Sequence, residues 1–286
     1  MAVKDEANRA PPRRLGSRLG SDLWPRVGAA VAMGLIALVI AWIGGFVFVA
    51  FWWATSVVVL GEWQRIVRCD RLIERVAIGA LALALAAVFA SNTWVLWAVA
   101  ALAVGALAVG WLAGPASQIW AGAGALYAGA LVVSLGLLRA SPSYGLPAIL
   151  WLFAVVWGTD VAAYFAGRLI GGPRLWPSVS PGKTWSGAVA GAFAGAAFGL
   201  LLSGWTNRID LLFWLGLAAS VVAELGDLFE SALKRRFGVK DSSRLIPGHG
   251  GLMDRLDAFI AASAFGALFA AAHTEGSFIA SGLFRW

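Results

Sequence analysis

The chain has 286 residues, 60% of them hydrophobic and 13% charged, against about 45–50% apolar and 25% charged in an ordinary soluble domain. That balance excludes a soluble globular fold and predicts an all-α, polytopic integral membrane helix bundle. The net charge of +7 points to membrane orientation and anionic membrane lipids rather than nucleic acid, because the cations lie between long apolar runs. A single cysteine, Cys69, excludes an internal disulfide framework and a Cys-based zinc site.

Residues 1–26 carry Lys4, Arg9, Arg13, Arg14, Arg18 and Arg26, with Pro11 and Pro12 set against an early helix. They read as a disordered basic arm. A spanning helix needs about 20 mostly apolar residues, and suitable runs recur near 27–44, 46–63, 76–91, 94–112, 118–138, 146–167, 185–205, 210–232 and 252–273. The expectation is therefore about nine transmembrane helices, grouped as N-terminal helices over 27–145, a second set with long loops over 146–273, and a short tail over 274–286. The first run exceeds the core of a cleavable signal and is expected to be retained.

With nine alternating spans, the arm shares a side with segments 64–75, 168–184 and 233–256. Those four regions hold 19 of the 22 Lys and Arg, leaving Arg139, Arg208 and Arg285 for the other side. The positive-inside rule then places the N-terminus and these loops in the cytoplasm, the C-terminus opposite, and the protein in the inner membrane.

In the seventh run, Gly187, Gly191, Gly195 and Gly199 recur every four residues. Such a stripe lets another backbone approach closely. It serves either packing inside the bundle or a subunit interface of a homodimer, and the pattern leaves both open.

Acidic residues inside spans are costly and mark function, and here they cluster. The eighth run holds Glu224, Asp227 and Glu230, with Glu224, Asp227 and Ser231 on one helical face; the ninth opens with Asp254 and Asp257, one turn apart. Oxygen ligands without thiolates, and with only two histidines, suit a hard cation such as magnesium. The alternative is that these acids form structural ion pairs with Arg235, Arg236 or Arg255.

The segment between the two runs combines Lys234, Arg235, Arg236, Lys240 and Arg244 with Ser242, Ser243 and the turn Pro247-Gly-His-Gly-Gly251. Its glycines permit close backbone approach to a ligand, with amides for phosphate oxygens. A second basic segment, Ser180-Pro-Gly-Lys-Thr-Trp185, is not a Walker A loop: the first glycine of that motif would fall at Pro177, and no strand is expected before it. It is either an anion-binding helix start or a plain N-cap beside an interfacial tryptophan. Asp160, within the sixth run, is placed to meet Lys183 or a ligand cation. Glu62 and His273 read as interfacial residues with no assigned role.

The run from Ser231 to Asp257 matches the signature of the phosphatidate cytidylyltransferases position by position: Ser-x-apolar-Lys-Arg, then Lys-Asp, then Pro-x-His-Gly-Gly-apolar-x-Asp-Arg-apolar-Asp. With Ser180–Trp185 and Gly226–Ser231, the chain resembles that family over residues 155–273. One departure is Asp160-Val-Ala-Ala-Tyr164, where the family often has Asp-Thr-Gly-Ala-Tyr. The resemblance implies that CTP and phosphatidic acid give CDP-diacylglycerol and pyrophosphate. It implies a Mg2+ held by Asp227 and Asp254, with room for a monovalent cation such as K+ beside it. It also implies catalytic roles for Lys234, Arg235, Lys240, Asp241, His249 and Asp257, and substrate-binding roles for Ser180, Lys183, Thr184, Ser231, Gly250, Gly251 and Arg255. The alternative from another class is an ion-coupled transporter, which expects acids spread toward the midplane and a repeated half.

Overall fold

A segment crossing a bilayer must satisfy its own backbone hydrogen bonds, so long apolar runs become helices and are separated where glycine, proline or charge interrupts them. The computed structural model describes residues 23–68, 70–245 and 250–286. The basic arm up to residue 22, Cys69 and His249 lie outside the described residues. Nine α-helices occur among the described residues, and eight are long and apolar enough to cross a membrane. They are α1 (Leu23–Ile43), α2 (Gly45–Val67), α3 (Leu72–Ser91), α4 (Val95–Ala113), α5 (Gln118–Arg139), α6 (Gly145–Leu169), α7 (Trp185–Gly199), α8 (Ile209–Arg236) and α9 (Met253–His273). In α1 the apolar stretch described is Val31–Ile43. The chain divides into a unit Met1–Ala37 and a unit Leu38–Trp286; all the contacts below belong to the second.

The nine expected runs match these helices closely, with informative exceptions. Helix α8 runs on to Arg236, so Lys234 and Arg235 are helical rather than part of the following loop. Its 28 residues span about 42 Å, against a hydrocarbon core of about 30 Å. Its last turns therefore project beyond the core and carry charge there. Helix α3 begins at Leu72, which places Arg75 inside a helix and not in a basic loop. Arg75 is fully buried and donates to Gln64 Oε1 at 2.5 Å.

The segment expected as a strandless loop before α7 forms an antiparallel hairpin of β1 (Arg174–Trp176) and β2 (Ser180–Thr184). The tail is not loose either: a 3-10 turn over Ile279–Leu283 buries Ala280, Leu283 and Phe284.

Large apolar side chains such as Trp42, Phe46, Leu96, Trp111 and Ile119 point outward, where lipid would cover them, and small residues line many helix contacts. Gly122 in α5 lies so close to α4 that an added Cβ would sit 2.9 Å from the Ala106 carbonyl. The glycine stripe of α7 is used inside the chain. A Cβ at Gly187 would meet the Ala163 carbonyl at 2.8 Å, one at Gly191 the Thr159 carbonyl at 2.9 Å, and one at Gly195 the Val155 carbonyl at 2.8 Å, all on α6. Gly195 also faces Ser220 of α8. The stripe thus seats α7 between α6 and α8.

An aromatic column ties the centre together. Phe259 of α9 stacks on Trp52 of α2 at 5.5 Å and on Phe153 of α6 at 5.1 Å, and Phe153 stacks on Trp157 at 4.9 Å. At one end of the bundle Arg139 closes the α1–α2 break, donating to the Ala41 carbonyl at 3.0 Å beside Gly44, whose φ of 67° suits glycine. Arg285 lies over the Tyr144 ring at 5.3 Å, and Tyr144 contacts Trp205 near Arg208. The segments after α2, α6 and α8 meet at the other end, through Ser242 to Glu62 and Arg235 to Val179, as alternation expects of those three.

Gly195→Val is expected to destabilise the bundle by about 1–3 kcal/mol through overpacking, read as a lower Tm in detergent. Gly204→Ala, where a Cβ meets nothing within 4 Å, should leave Tm unchanged.

Candidate active site

Two helices with small residues between them bring the acids together. Gly226 of α8 is so close to α9 that an added Cβ would lie 2.9 Å from the Asp257 carbonyl. Asp227 consequently faces α9, and Asp257, which is buried, feels the carboxylates of Asp227 and Asp160 and the ammonium of Lys234. Like charges this close repel unless a cation intervenes.

The cations are lysines. Lys183, delivered by β2, reaches Asp227 Oδ2 at 2.7 Å, and the Ser231 hydroxyl donates to Asp227 Oδ1 at 3.3 Å from one turn further along α8. Lys234 lies between two acids, 2.5 Å from Glu230 Oε2 and 2.6 Å from Asp254 Oδ1. Its side chain is 11% exposed, with Glu230 at 0% and Asp254 at 9%, so these are interior charges held by one another. The ion-pair alternative named Arg235, Arg236 and Arg255; Asp227 pairs with Lys183, and Glu230 and Asp254 pair with Lys234. Arg236 instead lies over the Trp120 ring at 4.8 Å.

Asp254 fixes the start of α9. Its Oδ2 accepts from the Ser242 amide at 3.0 Å, the Ser242 hydroxyl at 3.0 Å and the Gly251 amide at 2.7 Å. The glycines of the turn matter here for a different reason from the one expected. Gly250 has φ 84°, and a Cβ on it would lie 2.6 Å from Asp254 Oδ2, while a Cβ on Gly251 would lie 2.6 Å from Glu62 Oε1. The close backbone approach is to the protein's own carboxylates.

Thr184 is the N-cap of α7, its hydroxyl accepting from the Gly187 amide at 3.1 Å. Ser180 opens β2 and is half-buried. Arg235 is exposed and donates to the Val179 carbonyl at 3.4 Å, linking the end of α8 to the β1–β2 hairpin. Lys240 and Asp241 are exposed on the loop, and Arg255 is exposed on the first turn of α9, within electrostatic reach of Asp160. Asp160 also interacts with Asp227 and Lys183. His249 lies outside the described residues. The remaining predicted residues thus gather at one end of α6, α8 and α9, around the hairpin and the α8–α9 loop.

Glu62 was given no role from sequence and proves to be the exception. It is 1% exposed and accepts four hydrogen bonds from the α8–α9 loop and the start of α9: from the hydroxyls of Ser242 at 3.1 Å and Ser243 at 2.6 Å, and from the amides of Leu252 at 3.0 Å and Met253 at 2.7 Å. No local spacing singles Glu62 out; its neighbours Trp63 and Gln64 dock on α5 through the carbonyls of Trp120 and Ala121 at 2.8 Å each. His273 remains peripheral, stacked on Phe269 at 4.1 Å.

A polytopic helix bundle that gathers lysines and carboxylates beside basic loops at one end is built as a membrane enzyme for phosphorylated substrates. Residues 24–273 match the cytidylyltransferase family, and the chain belongs to that family. It is 40% identical over 262 residues to the phosphatidate cytidylyltransferase of Brucella suis, covering 87% of this chain and 95% of that protein. Shorter matches join it to phosphatidate cytidylyltransferases of Haemophilus influenzae, 40% identical over 149 residues covering 50% of this chain and 52% of that one, and of Staphylococcus saprophyticus, 45% over 122 residues covering 41% and 46%.

Lys234→Met removes the cation between two buried acids. It should destabilise the protein by about 3–5 kcal/mol in detergent unfolding. Adding Glu230→Gln should recover part of that stability without restoring activity.

Proposed function

We propose that the chain transfers the cytidylyl group of CTP to phosphatidic acid, giving CDP-diacylglycerol and pyrophosphate for phospholipid synthesis. The observation that carries this reading is the pairing of Lys183 with Asp227 and of Lys234 with Asp254 at a single end of the bundle, in a chain of the cytidylyltransferase family. The site serves a soluble triphosphate arriving from the loops and a lipid phosphate at headgroup depth. The ion-coupled transporter alternative finds no support in a site whose lysine-paired carboxylates gather at one end.

In the reaction an oxygen of the phosphatidate phosphate attacks the α-phosphorus of CTP. A new phosphorus–oxygen bond forms there, and the bond to the oxygen bridging the α- and β-phosphorus atoms breaks, releasing pyrophosphate. A phosphate monoester is largely ionised near neutral pH, so the nucleophile needs no strong general base. What the protein must supply is position and neutralisation of charge.

The side chains present fit a magnesium ion. The donor atoms are carboxylate oxygens, and ammonium groups already stand 2.7 Å from Asp227 and 2.6 Å from Asp254, where positive charge is required. No group of three His, Cys, Asp or Glu side chains among the described residues forms a ready-made cage. That suits magnesium, which is commonly held by one or two carboxylates and completes its shell with water and substrate phosphates. Asp227 and Asp254 would hold the ion, with a monovalent cation such as K+ beside it, and Asp257 would add to the negative field. When bound, the ion would polarise phosphate oxygens and offset charge developing on the leaving group.

The chain's own cations do the rest. Lys183, on the hairpin, can exchange Asp227 for a phosphate oxygen as substrate enters. Arg235, Lys240, Asp241 and Arg255 are all exposed, and the pyrophosphate would emerge among them. Lys234 holds Asp254 in place, and Ser231 does the same for Asp227. Ser180, Thr184, Gly250 and Gly251 shape the two backbone segments between which the phosphates would lie, and His249 would donate to a phosphate oxygen. The bias of Lys and Arg toward this end supports an orientation with the N-terminus and the site in the cytoplasm and the C-terminus opposite.

Purified protein given CTP, phosphatidic acid and Mg2+ should release pyrophosphate and form CDP-diacylglycerol; absence of turnover in supportive lipid would overturn the reading. Asp227→Asn and Asp254→Asn should each lower kcat by about 100-fold or more, with near-normal turnover in either contradicting the metal assignment. For orientation, a cysteine replacing the exposed Arg244 in a Cys69→Ser background should be labelled only by reagents that reach the cytoplasm.

A further inference from the structure

Glu62 belongs to the N-terminal helices and has no assigned part in the reaction, yet it accepts four hydrogen bonds beside the site. We propose that Glu62 is a positioning residue for cytidylyl transfer: it holds the Asp254 carboxylate in place by clamping Ser242 and the first amides of α9. The proposal rests on the cytidylyl-transfer reading for its kinetic readout alone.

Each oxygen of Glu62 takes one hydroxyl and one backbone N–H. Oε1 accepts from the Ser243 hydroxyl and the Leu252 amide, and Oε2 from the Ser242 hydroxyl and the Met253 amide. Asp254 grips the same two stretches of backbone, accepting from the amides of Ser242 and Gly251. The Ser242 hydroxyl lies within hydrogen-bonding distance of both acids, 3.1 Å from Glu62 Oε2 and 3.0 Å from Asp254 Oδ2. Its one proton is shared between them. A shift of Glu62 therefore moves Ser242, and with Ser242 the oxygen environment of Asp254.

Glu62 is itself rigidly placed. Trp63 and Gln64, the next two residues of α2, are fastened to α5, and Gln64 also receives Arg75. The N-terminal helices thus provide a fixed base, and Glu62 carries that fixity to the α8–α9 loop and the start of α9. The amides of Leu252 and Met253 stand at the start of α9, where no intrahelical acceptor exists and the helix dipole favours negative charge.

The arrangement requires a carboxylate. Because a backbone N–H faces each oxygen, the amide of a glutamine would point an N–H at another N–H in either flip. A role limited to filling space would tolerate Gln; a positioning role would not.

The test uses full-length protein in lipid nanodiscs. Glu62→Gln should lower kcat by about 100-fold, the scale of a small misplacement of a reacting group. Residue-resolved hydrogen–deuterium exchange should accelerate at Ser242 and Gly251, whose amides contact Asp254 and not Glu62, as well as at Leu252 and Met253, while α5 keeps its protection. In a Ser242→Ala background, Glu62→Gln should cost far less than it does alone, because the link is already cut. Near-normal kcat in Glu62→Gln, faster exchange confined to Leu252 and Met253, or strictly additive losses would each overturn the proposal. Should Glu62→Gln lose α5 protection and so fail to fold, Ser242→Ala decides: the link requires it to loosen both Gly251 and Met253. Exchange needs no turnover, so wild-type protein that makes no CDP-diacylglycerol would sink the reaction and leave the link still decided by the exchange pattern.

Discussion

The ammonium of Lys234, held between Glu230 and Asp254, is the contact on which the rest of the site depends. Charges withdrawn from water are costly unless each finds a partner with good geometry, and here two acids share one cation at the point where α8 leaves the hydrocarbon. Lys234 and Glu230 are one helical turn apart, so that pair is set by α8 alone. Asp254 comes from another helix, and its pairing with Lys234 fixes the start of α9 against the end of α8. From that junction the loop folds back, because Asp254 still has an oxygen to satisfy and takes Ser242 and Gly251 to do so.

Apolar burial cannot drive helices together in lipid as it does in water, so close packing of small residues performs that task. Gly191 and Gly195 let α7 lie against α6 and α8, and Gly226 lets α8 lie against α9. These contacts put Asp160, Asp227 and Asp257 within range of one another. The repulsion that results is held in check by Lys183 from the hairpin, which pairs with Asp227. Structural ion pairing and catalytic readiness are therefore not competing readings of these acids. The same contacts that make the carboxylates tolerable at the membrane surface hold them in the arrangement proposed above for the reaction.

Much of this was legible along the chain. Eight helices begin and end within a few residues of the expected runs, because apolar length and Gly or charge interruptions decide where a bilayer-spanning helix can exist. The exception is instructive: the basic stretch Lys234 to Arg236 reads as loop, yet i to i+4 pairing of Glu230 with Lys234 and continuing helix propensity carry α8 onward. Arg75 was misread for the converse reason. A cation in a basic stretch looks like loop, and only the partner Gln64 on a neighbouring helix makes its burial tolerable. The motif residues of the α8–α9 segment and the Gly-Lys-Thr turn could be named from their spacing, since each lies in a short local pattern.

The amino-acid sequence by itself determined the class of the protein, the helices, the end of the bundle at which charge collects and the family to which the chain belongs, because these follow from composition, periodicity and local motif. Tertiary structure alone decided which cation meets which acid, that the α7 glycines face inward, and that Glu62 reaches Ser242 across 180 positions of chain. The physical reason is that a buried carboxylate is stabilised by whichever donors surround it in space, and spacing along one chain carries no information about donors brought in from another helix.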